Sequence, residues 1–298
     1  MEEAGLTNFP CLQCLYNAWH TDIKISKQTF PRLSRHSKHI KVPSDYIFLA
    51  QLTSLELLHE DTAVDVAPLM QALHSLKNLK KLSLTFDGCS VVDYPQEIID
   101  MTDNQSIVID TLQIAILNRT LPYVIMFLYK GLQFLAPSVV HIHMEDLLYD
   151  GEDYDLEDFF FMEPEDNFLC GSTITIHASR MKEIQFGWTP YPLLTGIAER
   201  RQIAHTVHFE GQIEAFIRLG TADWGHFSSL RHLQFKCCDS LTEAEVDELA
   251  RNLMWGKAEG TGLQLLEIFS CERISEEFLV VLGDQVGPRL KWKTCDCE

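Results

Sequence analysis

Imidazoles and thiols are the side chains best suited to chemistry in this chain, and their spacing says what kind. His141-Ile-His143 puts two imidazoles on one face of a strand, because side chains alternate along an extended chain. His205, His208 and His232 fall at similar outward positions further on. A metal ion needs three or four converging ligands, whereas this spacing supplies a ladder along an open surface. Cys11-Leu-Gln-Cys14 with His20, and Cys295-Asp-Cys297, each lack the second matched pair of a zinc site. Asp150, Glu152, Asp153, Asp155, Glu157 and Asp158 crowd together, but counting from Asp150 puts Asp155 where a calcium loop needs glycine. No glycine-rich phosphate loop, nucleophile elbow or His-Glu-x-x-His helix occurs. The expectation is a chain that is not an enzyme and holds no cofactor or metal. A metal-dependent enzyme using the surface histidines is the rival from a different class.

Charge narrows the partners. The 298 residues carry 24 Lys and Arg against 43 Asp and Glu, a net charge of −19. Such an excess argues against a nucleic-acid backbone or an anionic membrane as ligand, since both need clustered positive charge. The opening Met1-Glu-Glu-Ala-Gly has no basic n-region or apolar h-region, so no signal peptide is expected. Nine cysteines, an odd number, then point to free thiols in a reducing compartment, cytoplasmic or nuclear. The most apolar run, Leu121–Val140, is broken by Lys130, Gln133 and Pro137 and is not a membrane span.

The elements that position the candidate residues repeat. Leu230, Leu233, Phe235, Cys238, Leu241, Thr242, Glu243, Val246 and Leu249 recur 33 residues later as Leu263, Leu266, Ile268, Cys271, Ile274, Ser275, Glu276, Leu279 and Leu282. Apolar positions 1, 4 and 6 describe a short strand with one buried face. The cysteine sits where the chain bends, small enough to bury and able to donate weakly to a carbonyl. Similar triplets occur at Leu52/Leu55/Leu57, Leu79/Leu82/Leu84, Ile109/Leu112/Ile114, Val139/Ile142/Met144, Met181/Ile184/Phe186, Ala204/Val207/Phe209 and Gly287/Leu290/Trp292. Their first members are 23–33 residues apart except for one step of 42, where an insertion is expected.

Helices are expected between the strands. Thr242-Glu-Ala-Glu245 is a capping box ahead of Val246, Leu249, Ala250 and Leu253, with Gly256 as a stop. Ser275 begins a matching helix through Leu282, stopped by Gly283. Thr62 or Asp65 starts one carrying Leu69, Leu73 and Leu76, and Thr120-Leu-Pro122 opens another through Leu135. Positions 3 and 5 of each triplet face outward: Ser54/Glu56, Lys81/Ser83, Thr111/Gln113, His141/His143, Glu183/Gln185, Thr206/His208, His232/Gln234, Leu265/Glu267 and Arg289/Lys291. Glu56, Lys81, Ser83, Gln113, His141, His143, Gln185, His208, His232, Gln234 and Glu267 are the expected partner-binding residues. Residues 1–48 hold only the fragments Phe9-Pro-Cys-Leu12 and Phe30-Pro-Arg-Leu33, and 145–170 carries eleven acidic residues around Phe159-Phe-Phe161.

Leu230-Arg-His-Leu-Gln-Phe-Lys-Cys-Cys-Asp-Ser-Leu-Thr-Glu and its echo from Leu263 resemble the cysteine-containing leucine-rich repeat. The irregular spacing and the Phe-Pro-x-Leu openings look like the diverged F-box/leucine-rich-repeat-like proteins of fungi, without a recognisable F-box. The resemblance implies an α/β leucine-rich-repeat solenoid, a curved parallel sheet backed by helices. It divides the chain into a degenerate N-terminal repeat or cap (1–48) and a solenoid (49–298) interrupted by the acidic insertion at 145–170. It further implies a non-catalytic protein-binding module, the substrate-recognition part of an F-box-type ubiquitin ligase adaptor, with a Skp1-like protein as a second partner through any upstream F-box. The alternative is a repeat scaffold whose acidic, Phe-rich loop binds the partner.

Overall fold

Alternation along each strand decides which side of the chain is buried, and the pairing of strands repeats that decision. The computed structural model describes residues 14–17, 35–39, 53–61, 63–74, 76–91, 107–147, 159, 171–179, 192–200, 204–213, 215–220, 222–255 and 261–294. The chain forms two compact units, Met1–Ser138 and Val139–Glu298, both α/β with parallel strands. In the first, β1 (Cys14–Asn17), β2 (Arg35–His39), β3 (Ser54–Glu60), β5 (Lys81–Asp87) and β7 (Ile107–Leu117) pair in that order. β4 (Ala63–Val64) pairs with β6 (Ser90–Val91), and the helices are α1 (Val66–His74) and α2 (Pro122–Gly131).

In the second unit β8 (Leu135–Glu145), β9 (Thr173–Ser179), β10 (Thr206–Gly211), β11 (His232–Lys236), β12 (Leu265–Phe269) and β13 (Leu290–Lys293) pair in chain order. Helices α3 (Leu193–Arg200), α4 (Glu243–Leu253) and α5 (Glu276–Val286) lie between them in sequence. Ile174, Val207, Leu233 and Leu266 occupy one row, and Ile176, Phe209, Phe235 and Ile268 the next, all buried. Leu233 lies opposite Leu266, and both are completely buried.

The strands end in the same turn. Asp61, Gly88, Asp146, Cys237 and Ser270 each follow the last strand residue with φ between 44° and 62°. Each donates its N–H to the carbonyl that ends the next strand: Asp87, Leu117, Ser179, Phe269 and Lys293 respectively. Left-handed backbone suits Asp and Gly but costs Cys and Ser about 1 kcal/mol. In three of these turns a buried cysteine comes next. Cys89, Cys238 and Cys271 aim their thiols at the carbonyls of His59, Phe209 and Phe235 on the preceding strand, at 3.3, 3.6 and 3.9 Å. A hydrogen bond to Cys271, then burial, pushes the Cys238 thiol up, so it stays a protonated donor.

Several expectations are corrected. The strand between β8 and β10 is Thr173–Ser179; the Met181/Ile184/Phe186 triplet with Glu183 and Gln185 lies outside the described residues. Its own triplet is Gly171/Ile174/Ile176. β2, within residues 1–48, pairs with β3. The two Phe-Pro-x-Leu fragments each precede a strand, β1 and β2. Helix α2 ends at Gly131 and runs on as a 3-10 turn over Leu132–Phe134, and a Cβ on Gly131 would collide with the Met70 side chain of α1. Gly283 does not stop α5. It stands inside the helix because a Cβ there would press on the Trp292 ring at 3.2 Å, and the helix ends at Gly287, φ 66°. Gly256 lies outside the described residues.

Buried polar groups fasten the second unit. The capping box forms as expected, with the Thr242 hydroxyl accepting from Glu245 N and the Glu245 carboxylate accepting from Thr242 N at 3.0 Å. The same carboxylate, 6% exposed, also accepts from Phe216 N at 3.1 Å and Ile217 N at 3.4 Å. Buried Thr195 accepts from Arg218 N at 3.0 Å, fixing the same loop to α3. Replacing Glu245 with Ala strands these donors; the expected loss is about 3 kcal/mol in urea denaturation, at roughly 1–3 kcal/mol per buried unpaired group. Gly211 has φ 92°, and a Cβ on it would overlap the Ala178 carbonyl oxygen, which accepts from Gln212 N. Gly211→Ala is expected to cost at least about 2 kcal/mol by the same measurement.

Candidate functional site

Parallel pairing converts the outward positions of successive strands into rows. In the second unit one row runs His141, Thr175, His208, Gln234, Glu267, Lys291. Beside it runs His143, His177, Glu210, Lys236, Phe269, Lys293. A third holds Val139, Thr173, Thr206, His232 and Leu265. All the residues of these rows are half-buried or exposed, whereas the intervening positions of β8 to β12 are buried. One face of these strands is therefore packed and the other lies open.

The open face concentrates imidazoles. His143 and His177 stand 4.7 Å apart between ring centres, and His208 and His232 stand edge to face at 4.8 Å. His232 Nε2 lies 2.8 Å from Glu267 Oε2, an oxygen that also accepts from Gln234 at 3.0 Å. His143 Nε2 lies 3.3 Å from Glu145, and His177 Nδ1 lies 3.8 Å from Glu210. Lys236 binds Glu210 at 2.7 Å, and Lys291 stands 3.6 Å from Glu267. The hydrogen bond to Glu210 holds the Lys236 ammonium above its ordinary range. Burial lowers both His141 and His208; the neighbouring His232 and His141 push His208 down further, against the pull of Glu267. His208 Nε2 is buried and has no hydrogen-bond partner among the described residues.

The expected site residues divide accordingly. His141, His143, His208, His232, Gln234 and Glu267 share this face. Glu56, Ser83 and Gln113 form one outward row of the first unit, with Lys81 two residues before Ser83 on β5. Gln185 lies outside the described residues. His205 is exposed in the turn before β10 and belongs to no row; its carbonyl accepts from Arg231 N and His232 N. His177, Glu210 and Lys236 are added by the structure. His177 was hidden by the misplaced strand, and the other two sit one alternation beyond a template that stopped at its sixth position.

No three His, Cys, Asp or Glu side chains among the described residues are arranged to hold a metal ion. Cys11, His20, Cys295 and Cys297 lie outside the described residues. Among the described residues no helix is long and apolar enough to cross a membrane. The arrangement is suited to hydrogen bonding and ion pairing over a broad surface. No family model, curated protein or solved structure matches the chain.

The two lowered histidines give a pH dependence with a definite sign. A histidine held neutral in the fold binds fewer protons than the unfolded chain, so its contribution is complete above about pH 6.5 and is lost as pH falls below that. Urea midpoints followed by tryptophan fluorescence are expected to drop between about pH 7.5 and pH 5, and to drop less in His208→Gln.

Proposed function

We propose that the chain is a non-catalytic interaction module of the cysteine-containing leucine-rich-repeat kind, binding a protein through the open polar face of β8 to β13. The observation that carries this is the one-sided burial of Val139–Glu298. A strand face lined by imidazole, carboxylate, amide and ammonium groups in aligned rows is a surface for recognition. Support for the repeat reading comes from parallel strands in chain order, the recurring left-handed turn and the cysteine after it in three strands. The resemblance to F-box/leucine-rich-repeat-like proteins makes the bound protein a ubiquitin-ligase substrate, with a Skp1-like protein entering only through an F-box that these 298 residues do not display. An intracellular setting agrees with Cys89, Cys237, Cys238 and Cys271 being free thiols.

A second reading rests on the acidic tract, within which Phe159 is 2% exposed. On that reading the tract, rather than the strand face, engages the partner. Affinity capture separates the two, using the intact chain, a deletion of 148–158 that leaves β8 and Phe159 in place, and His143→Ala with His208→Ala. A partner retained by the deletion, lost by the double variant and bound again when purified is the expected result. Loss by the deletion alone sinks the strand-face reading.

A further inference from the structure

The open face of the second unit has an unusual charge balance. Among the described residues, Lys236, Lys291 and Lys293 stand against Glu145, Glu210 and Glu267, three cations and three anions. Arg289, just before β13, turns its Nε to the Val286 carbonyl at 3.3 Å instead. The net charge of the described face is therefore that of its five imidazoles: His141 and His143 on β8, His177 on β9, His208 on β10 and His232 on β11. It is near neutral when they are neutral and strongly positive when they are protonated, in a chain of net charge −19. The helices differ: α4 and α5 carry Glu243, Glu245, Asp247, Glu248, Glu276, Glu277 and Asp284 against Arg251.

Three of the imidazoles already have a carboxylate beside them: His143 has Glu145, His177 has Glu210 and His232 has Glu267. His141 and His208 have none within ion-pair distance among the described residues, and they flank Thr175 in the same row. Adjacent strands are about 4.8 Å apart, so these two histidines start about 10 Å apart, with room for an anionic group over Thr175. The edge-to-face contact of His208 with His232 at 4.8 Å also becomes repulsive once both rings are charged, and an added anion relieves it.

We propose, building on the strand-face reading above, that this face binds an acidic peptide segment, one of whose carboxylates sits over Thr175 between His141 and His208, with uptake of protons. Six strands span about 24 Å, the reach of roughly seven extended residues. A short acidic segment touches only the face, and the helix layer beyond is weakened by screening over about 8 Å. A long polyanion meets the rest of a strongly acidic chain. Binding supplies the counter-charge that burial denies the two histidines, so affinity rises as pH falls.

Titration calorimetry of the intact chain tests this with a capped heptapeptide of alternating Glu and Ser. The controls are its Lys-for-Glu counterpart and a short single-stranded DNA. Affinity is expected to rise about tenfold per pH unit for each proton taken up between about pH 7.5 and pH 6. Buffers of different ionisation enthalpy should report an uptake of at least about one proton. His141→Gln with His208→Gln should abolish most of the pH dependence, and Thr175→Glu, which places a carboxylate on the spot, should abolish binding. Circular dichroism confirms that each variant is folded, and Thr175→Glu still tests the idea if the double variant is not. An affinity that does not change with pH, no proton uptake, or equal binding of the Lys peptide or the DNA overturns the proposal. If the peptide fails while a captured partner still depends on His143 and His208, the strand-face reading survives and only the acidic-peptide inference falls.

Discussion

A strand that buries one face and leaves the other wet tolerates no slip against its neighbours. A shift of one residue would turn Leu233 and Phe235 outward and carry His232 and Gln234 into the packed layer. Register is held twice over in this molecule. Packing holds it through the rows of Ile, Val, Leu and Phe, including the rings of Phe209, Phe216 and Phe235, whose centres lie 4.8–5.7 Å apart. The backbone holds it through the left-handed residue that closes one strand by donating to the end of the next.

The polar rows are a consequence of that register. Glu267 illustrates it: the two strands flanking β12 converge on one carboxylate, because His232 and Gln234 on β11 and Lys291 on β13 all reach it across the same face. Its side chain is only 13% exposed and that of His232 25%, so this contact is partly shielded from solvent, whereas Lys291, 60% exposed, makes a surface one. Lys236, Glu210 and His177 make a similar chain across β11, β10 and β9. The polar groups of the face are thus gathered into two short chains, one about Glu267 and one about Glu210.

The packed layer has its own polar commitments. Glu245 serves two masters, the first turn of α4 and the backbone at Phe216 and Ile217. A buried carboxylate is tolerable only when its oxygens are satisfied by donors, and here four donors meet it: Thr242 N, the Thr242 hydroxyl and two backbone N–H groups. The buried cysteines play a smaller version of that part, each closing a turn against carbonyls of its own strand and the one before. Their thiols are held by geometry and burial, which suits a structural role.

Local pattern alone determined the strands around Leu55, Leu82, Leu112, Ile142, Val207, Leu233, Leu266 and Leu290, the capping box at Thr242 and the cysteine turn. Each of these is written in neighbouring residues, through a period of two, a capping spacing or one small thiol at a bend. What lay beyond the sequence was decided by contacts between distant residues. Gly283 reads as a helix stop, yet it stands inside α5 beside the Trp292 ring, and Gly131 stands where a Cβ would meet Met70. β9 lies at Thr173–Ser179, ahead of the Met181 triplet, and carries His177 with it. That Glu245 would also hold Phe216 and Ile217, and that His141 and His208 would flank Thr175 without carboxylates of their own, could emerge only when strands far apart in sequence were laid side by side, because hydrogen bonding and desolvation depend on neighbours that sequence spacing does not name.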